Sequence, residues 1–174
     1  MTQVAVPVAY IDIRFFVHAT EDPDKVMKAA KHILPSQYAD AIVFSRGNLQ
    51  GHHGNQIILF ETRIKGKEII KSFIDRLSSN LHQLDKETLL KEINMRVEKG
   101  DLYLRLDKQS AFQGEFRFSI ADPIHVRIRF RKGKTEDIVQ ICRNLGLLPN
   151  LHACMHAFGK NRWGNIQIHV DISV

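Results

Sequence analysis

The sequence predicts an α+β fold, mainly an antiparallel sheet with helices packed on one face, and three observations lead there. Short segments of apolar alternation or apolar run recur, among them residues 8–19, 56–65 and 124–131, as strands with a buried face require. Between them, apolar residues return at three- and four-residue spacing, the pattern of amphipathic helices. Several connections between strands are of hairpin length, which favours antiparallel neighbours over parallel crossovers. At 174 residues, 44% apolar and 25% charged, the chain is long enough for one domain whose core needs no disulfides.

The first strand spans residues 8–19 and is carried by Tyr10, Ile11, Ile13, Phe15, Phe16 and Val17. Thr20-Glu21-Asp22-Pro23 stops it. Asp22 is suited to cap a helix whose first position Pro23 takes, where a missing N–H costs nothing. Val26, Ala29, Ala30, Ile33 and Leu34 then repeat at helical spacing until Pro35 ends the run. Two strands, residues 40–47 and 56–65, flank Asn48-Leu49-Gln50-Gly51-His52-His53-Gly54-Asn55, whose glycines mark a hairpin connection longer than a tight turn. A second helix starts near Lys67 with the stripe Ile69, Ile70, Phe73, Ile74, Leu77 and Leu81. Asp85 is expected to cap a third helix carrying Leu89, Leu90, Ile93 and Val97.

After Lys99-Gly100-Asp101 come a strand at 102–106, a polar segment at 107–114, and two strands at 115–120 and 124–131. A last helix over 135–146 shows Ile138, Ile141, Cys142 and Leu145 on one side, with Gly146 where a C-cap glycine belongs. The predicted order is β-α-β-β-α-α-β-β-β-α within a single domain, residues 1–150. Residues 151–174 form a C-terminal extension whose role the sequence leaves open, with a candidate strand at 165–172.

Charge is unevenly spread. The chain has 25 Lys and Arg against 19 Asp and Glu, a net +6, which favours an anionic partner. Between Lys99 and Lys134 nine cations face four carboxylates, so this third of the chain carries +5. In residues 124–131, Ile124, Val126, Ile128 and Phe130 share one parity, and His125, Arg127, Arg129 and Arg131 the other. Side chains of a strand alternate between faces, so one face is apolar and the other a cationic row. Same-face neighbours lie about 6.5–7 Å apart, a spacing suited to successive phosphates. The competing reading is a solvated face neutralised by carboxylates on adjacent strands, for which Asp12 and Glu115 are the candidates.

Other residue patterns carry less chemistry. His52-His53-Gly54-Asn55 offers imidazoles near neutral pH, but no carboxylate pair nearby completes a catalytic or metal site. Asp107-Lys108 reads either as a proton-relay pair or as a cap followed by a solvated lysine. His152, Cys154 and His156 alternate as ligands would on an extended chain, yet no CxxC or HExxH context supports zinc. The P-loop, dinucleotide-binding, nucleophile-elbow and EF-hand signatures are all missing, which argues against an ATPase, a dehydrogenase or an α/β-hydrolase. With two cysteines the chain is no disulfide scaffold. It shows no signal-peptide pattern at its start and no apolar run near the roughly 18 residues of a membrane span. The expectation is a cytoplasmic protein without a membrane partner.

Four stretches in this order resemble an archaeal family described as a predicted exosome subunit, or RNA-binding protein with a double-stranded-RNA-binding-like fold. They are Phe15 to Val26, Gly51 to Asn55, Leu102 to Gln109, and Ile124 to Arg129; the resemblance covers residues 8–146. Members are similar in fold to the large-subunit ribosomal protein that binds 5S RNA. The resemblance implies RNA as ligand, no cofactor and no catalytic residue to transfer, and no metal is expected. Its motif positions here are His18, Thr20, Glu21, Asp22, Gly51, His53, Gly54, Asn55, Asp107, Lys108 and Gln109.

The expected RNA-binding residues are Arg105, Lys108, Arg127, Arg129 and Arg131, with His53 and Asn55 beside them. The expected function is non-enzymatic RNA binding, in company with proteins of an RNA-processing complex. The alternatives are an RNA- or nucleotide-processing enzyme using His53, Asp107 and Lys108, and a protein-interaction subunit. Oligomeric state is open.

Overall fold

The computed structural model describes residues 7–51, 54–131 and 133–149. Six strands and five helices follow the order β1 (Val8–His18), α1 (Pro23–Ile33), β2 (Ser45–Gln50), β3 (Gln56–Ile64), α2 (Lys67–Asn80), α3 (Gln83–Arg96), β4 (Val97–Glu98), β5 (Asp101–Leu106), α4 (Lys108–Phe112), β6 (Ile124–Phe130) and α5 (Thr135–Asn144). The strands form one sheet in the order β2-β3-β1-β6-β5-β4, and every ladder is antiparallel. The α+β expectation holds.

Alternation decides which face the helices cover. Ile11, Ile13, Phe15 and Val17 of β1 are buried, as are Leu102, Leu104 and Leu106 of β5 and Ile124, Val126, Ile128 and Phe130 of β6. They share the core with Val26, Ala29, Ala30 and Ile33 of α1, Ile70, Phe73, Ile74 and Leu77 of α2, and Ile138 and Cys142 of α5. Phe15 stacks on Phe60 at 5.3 Å between centroids and meets Phe44 edge-on at 5.5 Å. Burial of such a ring stabilises by about 1.5–3 kcal/mol. Among the described residues, the other face of β1, β3, β5 and β6 carries no apolar helix stripe and is left to the residues described below.

Local signals are largely realised. Asp22 caps α1, its carboxylate accepting from Asp24 N at 2.9 Å, with Pro23 at the first turn. Gly146 adopts φ +72°, and the N–H of Leu147 donates to Cys142 O while that of Gly146 donates to Arg143 O, the paired bonds of a Schellman motif. Burial pushes the Cys142 thiol up to about 12, so it is an inert core group.

Three expectations are corrected. The strand expected at 40–47 is β2 at Ser45–Gln50, because a turn based on Pro35 and Tyr38 occupies the preceding residues and Asn48, Leu49 and Gln50 continue the ladder against Ile58, Ile57 and Gln56. The connection is thereby shortened to residues 51–55. Asp85 does not cap α3. His82 does, its Nδ1 accepting from Leu84 N at 3.3 Å, while Asp85 turns to Arg117 at 2.9 Å. Residues 115–120 alternate as a strand would but make only isolated bridges, Leu81 to Phe116 and Leu106 to Phe118. Their backbone bonds are divided among Ser110, His82, Asp107 and Arg105, so no ladder forms.

The extension 151–174, with the strand expected at 165–172 and His152, Cys154 and His156, lies outside the described residues. No helix among the described residues is long and apolar enough to cross a membrane.

Candidate functional site

The register lays out the uncovered face in rows across the strands. Tyr10, Arg129, Asp101 and Glu98 form one row; Arg63, Asp12, Arg127 and Tyr103 the next; Ser45, Glu61, Arg14, His125 and Arg105 the third. Antiparallel pairing puts such partners about 4.5–5.5 Å apart, so their charges interact directly.

Asp12 is the hub of the middle row. Arg63 donates to it through Nε at 2.6 Å and Nη2 at 3.0 Å. Arg127 donates from the opposite side through Nε at 3.1 Å and through Nη2. Burial opposes the charge on Asp12, yet these hydrogen bonds and the two guanidinium charges outweigh it and hold the carboxyl below the usual aspartate range. The hydrogen bond to Asp12 raises the pKa of both arginines. Tyr10 lies beneath the pair, its ring centroid 4.2 Å from the Arg63 guanidinium and 5.8 Å from that of Arg127, a cation–π arrangement.

His125, Arg127 and Arg129 of β6 alternate with its buried residues, and two of these cations are paired with carboxylates within the sheet. Asp101, nearly buried, lies 3.3 Å from Arg129 and 3.9 Å from Arg127, and Arg129 also donates to Lys99 O at 2.7 Å. Of the two carboxylates considered from sequence, Asp12 takes part in this neutralisation, and Asp101 was not among them. Arg105 is exposed and, among the described residues, forms no ion pair. Among the described residues, the carboxylate paired with Arg14 is Glu61, at 4.0 Å. Between these two arginines sits His125, whose pKa is lowered by burial and by both guanidiniums against the pull of Asp122. Arg131 is exposed just beyond the end of β6.

A groove of about 1000 Å³ follows this face. Asp12, Arg14, Tyr103, Arg105, His125 and Arg127 lie along it together with Met95 and Arg96 at the end of α3 and with Ser119 and Ile120. Arg96 is held by Glu92 at 2.7 Å and by the Phe118 ring at 4.8 Å.

Lys108 belongs to a different cluster. Asp107 caps α4, accepting from Ser110 N at 2.7 Å, and this sends Lys108 back to the end of β1. Its ammonium donates to Phe16 O at 2.7 Å, to both Glu21 oxygens at 3.1 Å and to Asp122. Its side chain is 12% exposed. His18 reaches Asp122 at 3.2 Å. His18, Glu21 and Asp122 have the geometry of a metal-ligand trio, and the lysine supplies the positive charge that their carboxylates require. Four motif positions, His18, Glu21, Asp107 and Lys108, are thus joined in one corner. Asn55 is exposed, with its carbonyl accepting from Gly51 N at 2.8 Å across the β2–β3 connection. His53 lies outside the described residues.

Tyr103, Arg14 and Arg63 were not among the expected site residues. The parity of Asp101, Tyr103 and Arg105 against Leu102, Leu104 and Leu106 is visible in the sequence and marks Tyr103 as facing away from the core. Strand order is what brings it beside Arg127.

A protein-family model described as RNA binding matches residues 10–130. An RNA-binding protein of Pyrococcus abyssi is 36% identical over 138 residues, covering 76% of this chain and 90% of that protein. An uncharacterized protein of Methanocaldococcus jannaschii is 34% identical over 143 residues, covering 77% and 95%. The crystal structure of protein AF2318 from Archaeoglobus fulgidus matches with a TM-score of 0.69 at 27% identity, covering 79% of this chain and 99% of that one.

Proposed function

This chain belongs to the RNA-binding family, and from that premise we propose that it is a non-enzymatic RNA-binding protein holding its ligand on the uncovered face of the sheet. The observation that carries the reading is the run Arg14, His125, Arg105 on three adjacent strands, with Glu61 as the one carboxylate of that row. Such a patch in a concave surface concentrates positive potential where phosphates can enter.

In this reading Arg105 and Arg131 meet phosphates directly. Arg127 and Arg129 join them by sharing their guanidinium donors between carboxylate and phosphate, since a guanidinium has five N–H groups and the bonds to Asp12 and Lys99 occupy only some of them. His53 and Asn55 bring the β2–β3 connection to base edges. Lys108 acts indirectly, by holding the end of β1 through Phe16 O and Glu21. The bonds that occupy Asp107 and Lys108 support binding over catalysis, because both groups are committed to holding the backbone.

The test is fluorescence anisotropy of labelled RNA with wild-type protein and the Arg14→Ala/Arg105→Ala variant at several salt concentrations. The variant is expected to bind more weakly, with the log–log salt slope shallower by about 0.7 for each lost phosphate contact on a single strand. Equal affinity and slope would remove this face from the reading. RNA cleavage that disappears in Asp107→Asn or His53→Ala would replace it with the enzyme alternative.

A second reading makes the chain an accessory subunit of an RNA-processing assembly such as the exosome, contacting protein. It is favoured by β2, which ends the sheet with five of its six residues exposed, an edge able to pair with another strand. Salt-resistant association with such an assembly, without affinity for free RNA, distinguishes it.

A further inference from the structure

We infer that the RNA held on this face is single-stranded, with one unpaired base stacked on the ring of Tyr103 inside the groove and Arg105 and Arg14 on the phosphates beside it. The inference rests on the RNA-binding reading above and narrows its ligand.

Tyr103 is 41% exposed on β5 at the end of the row that holds Asp12, opposite Arg127 and two residues from Arg105. The face has a second tyrosine for comparison. Tyr10 is already occupied by the guanidiniums of Arg63 and Arg127, whereas no ring or cation covers Tyr103 among the described residues. Uncovered, its ring costs hydration free energy that a stacked base relieves.

Its surroundings are those of a base site rather than a phosphate track alone. Met95, 80% exposed, and Ile120, 90% exposed, line the same groove. Three uncovered apolar groups thus converge beside Arg14, Arg105 and Arg127. A nucleobase has an apolar face to cover them and polar edges to leave toward His125. A duplex lacks access to this arrangement, since its bases are stacked on one another and it offers phosphates and 2′-hydroxyls outward. Unpaired bases turn freely onto aromatic side chains while the backbone follows the cations.

Three probes of matched length separate stacking from charge: an oligoadenylate, an RNA duplex, and an abasic ribose-phosphate oligomer. Anisotropy with wild-type protein is expected to rank the oligoadenylate tightest. Tyr103→Ala is expected to weaken it by about fivefold to a hundredfold, leaving its salt slope and the binding of the abasic oligomer unchanged. Tyr103→Phe is expected to retain wild-type affinity, which shows that ring area and not the hydroxyl is used, and circular dichroism melting checks that both variants are folded. Duplex or abasic oligomer binding as tightly as oligoadenylate, or Tyr103→Ala matching wild type, overturns the stacking inference and leaves RNA binding on the face intact. Failure of all three probes to bind overturns both.

Discussion

Asp12 on β1 and Arg127 on β6 stand opposite one another in the antiparallel register and are joined by side-chain hydrogen bonds across the uncovered face. Arg63 reaches the same carboxylate from β3, so one aspartate ties three adjacent strands on the face opposite the apolar core. It also sets how much cationic charge that face presents.

Asp12→Asn tests both roles. The amide preserves shape but removes the charge that two guanidiniums share, and a loss of about 1–2 kcal/mol in urea unfolding is expected. Affinity for RNA at low salt is expected to rise, with a steeper salt slope, because Arg63 and Arg127 are released toward solvent. Weaker RNA binding by a folded Asp12→Asn protein would contradict the face assignment.

Acidification should destabilise the fold in two stages. His125 has a folded pKa lowered from 6.5 by burial and by Arg14 and Arg105. The unfolded chain therefore binds its proton more readily, and the stability of the neutral form is complete above pH 6.5 and lost as pH falls toward the folded value. Asp12 has a folded pKa lowered from 3.8, so its contribution is complete above that pH and lost as pH falls through the folded value. Thermal melting across pH should show the first stage vanish in His125→Gln and the second in Asp12→Asn.

Lys108→Met is expected to destabilise by about 1–3 kcal/mol, since it leaves Glu21 and Asp122 without the ammonium between them. The salt slope of RNA binding should remain that of wild type. A slope made shallower by the loss of Lys108 would instead put its ammonium on the ligand.

Gly146→Ala isolates a backbone effect. An added Cβ would meet Ser78 Cβ at 3.6 Å, ordinary contact, while φ remains at +72°. A loss of about 1 kcal/mol is expected from the left-handed conformation alone, visible as a melting temperature lower by roughly 2–4 °C.

How much of this was legible in the chain follows from the range of each interaction. Asp22-Pro23 announced the start of α1, and Gly146 the end of α5, because caps are satisfied within a few residues of themselves. The alternation of Ile124 to Phe130 with His125 to Arg129 announced a two-faced strand for the same reason. Phe116, Phe118 and Ile120 alternate as clearly, yet they make no ladder, since a ladder needs a neighbour whose backbone groups remain free and here they are shared with His82 and Arg105. Asp85 has the chemistry of a cap, and a distant arginine, Arg117, competes for it.

By itself, the sequence determined the fold class, the placing of most helices, the apolar face of each strand and the crowding of positive charge into residues 99–134. Those are properties of period and composition, carried by neighbours along the chain. Only the tertiary structure decided that Arg127 faces Asp12, that Lys108 is sequestered by Glu21 and Asp122, and that Tyr103 stands exposed beside Arg127. These depend on the strand order β2-β3-β1-β6-β5-β4, which sets side by side residues more than a hundred positions apart, and Coulomb and hydrogen-bond energies follow distance in space.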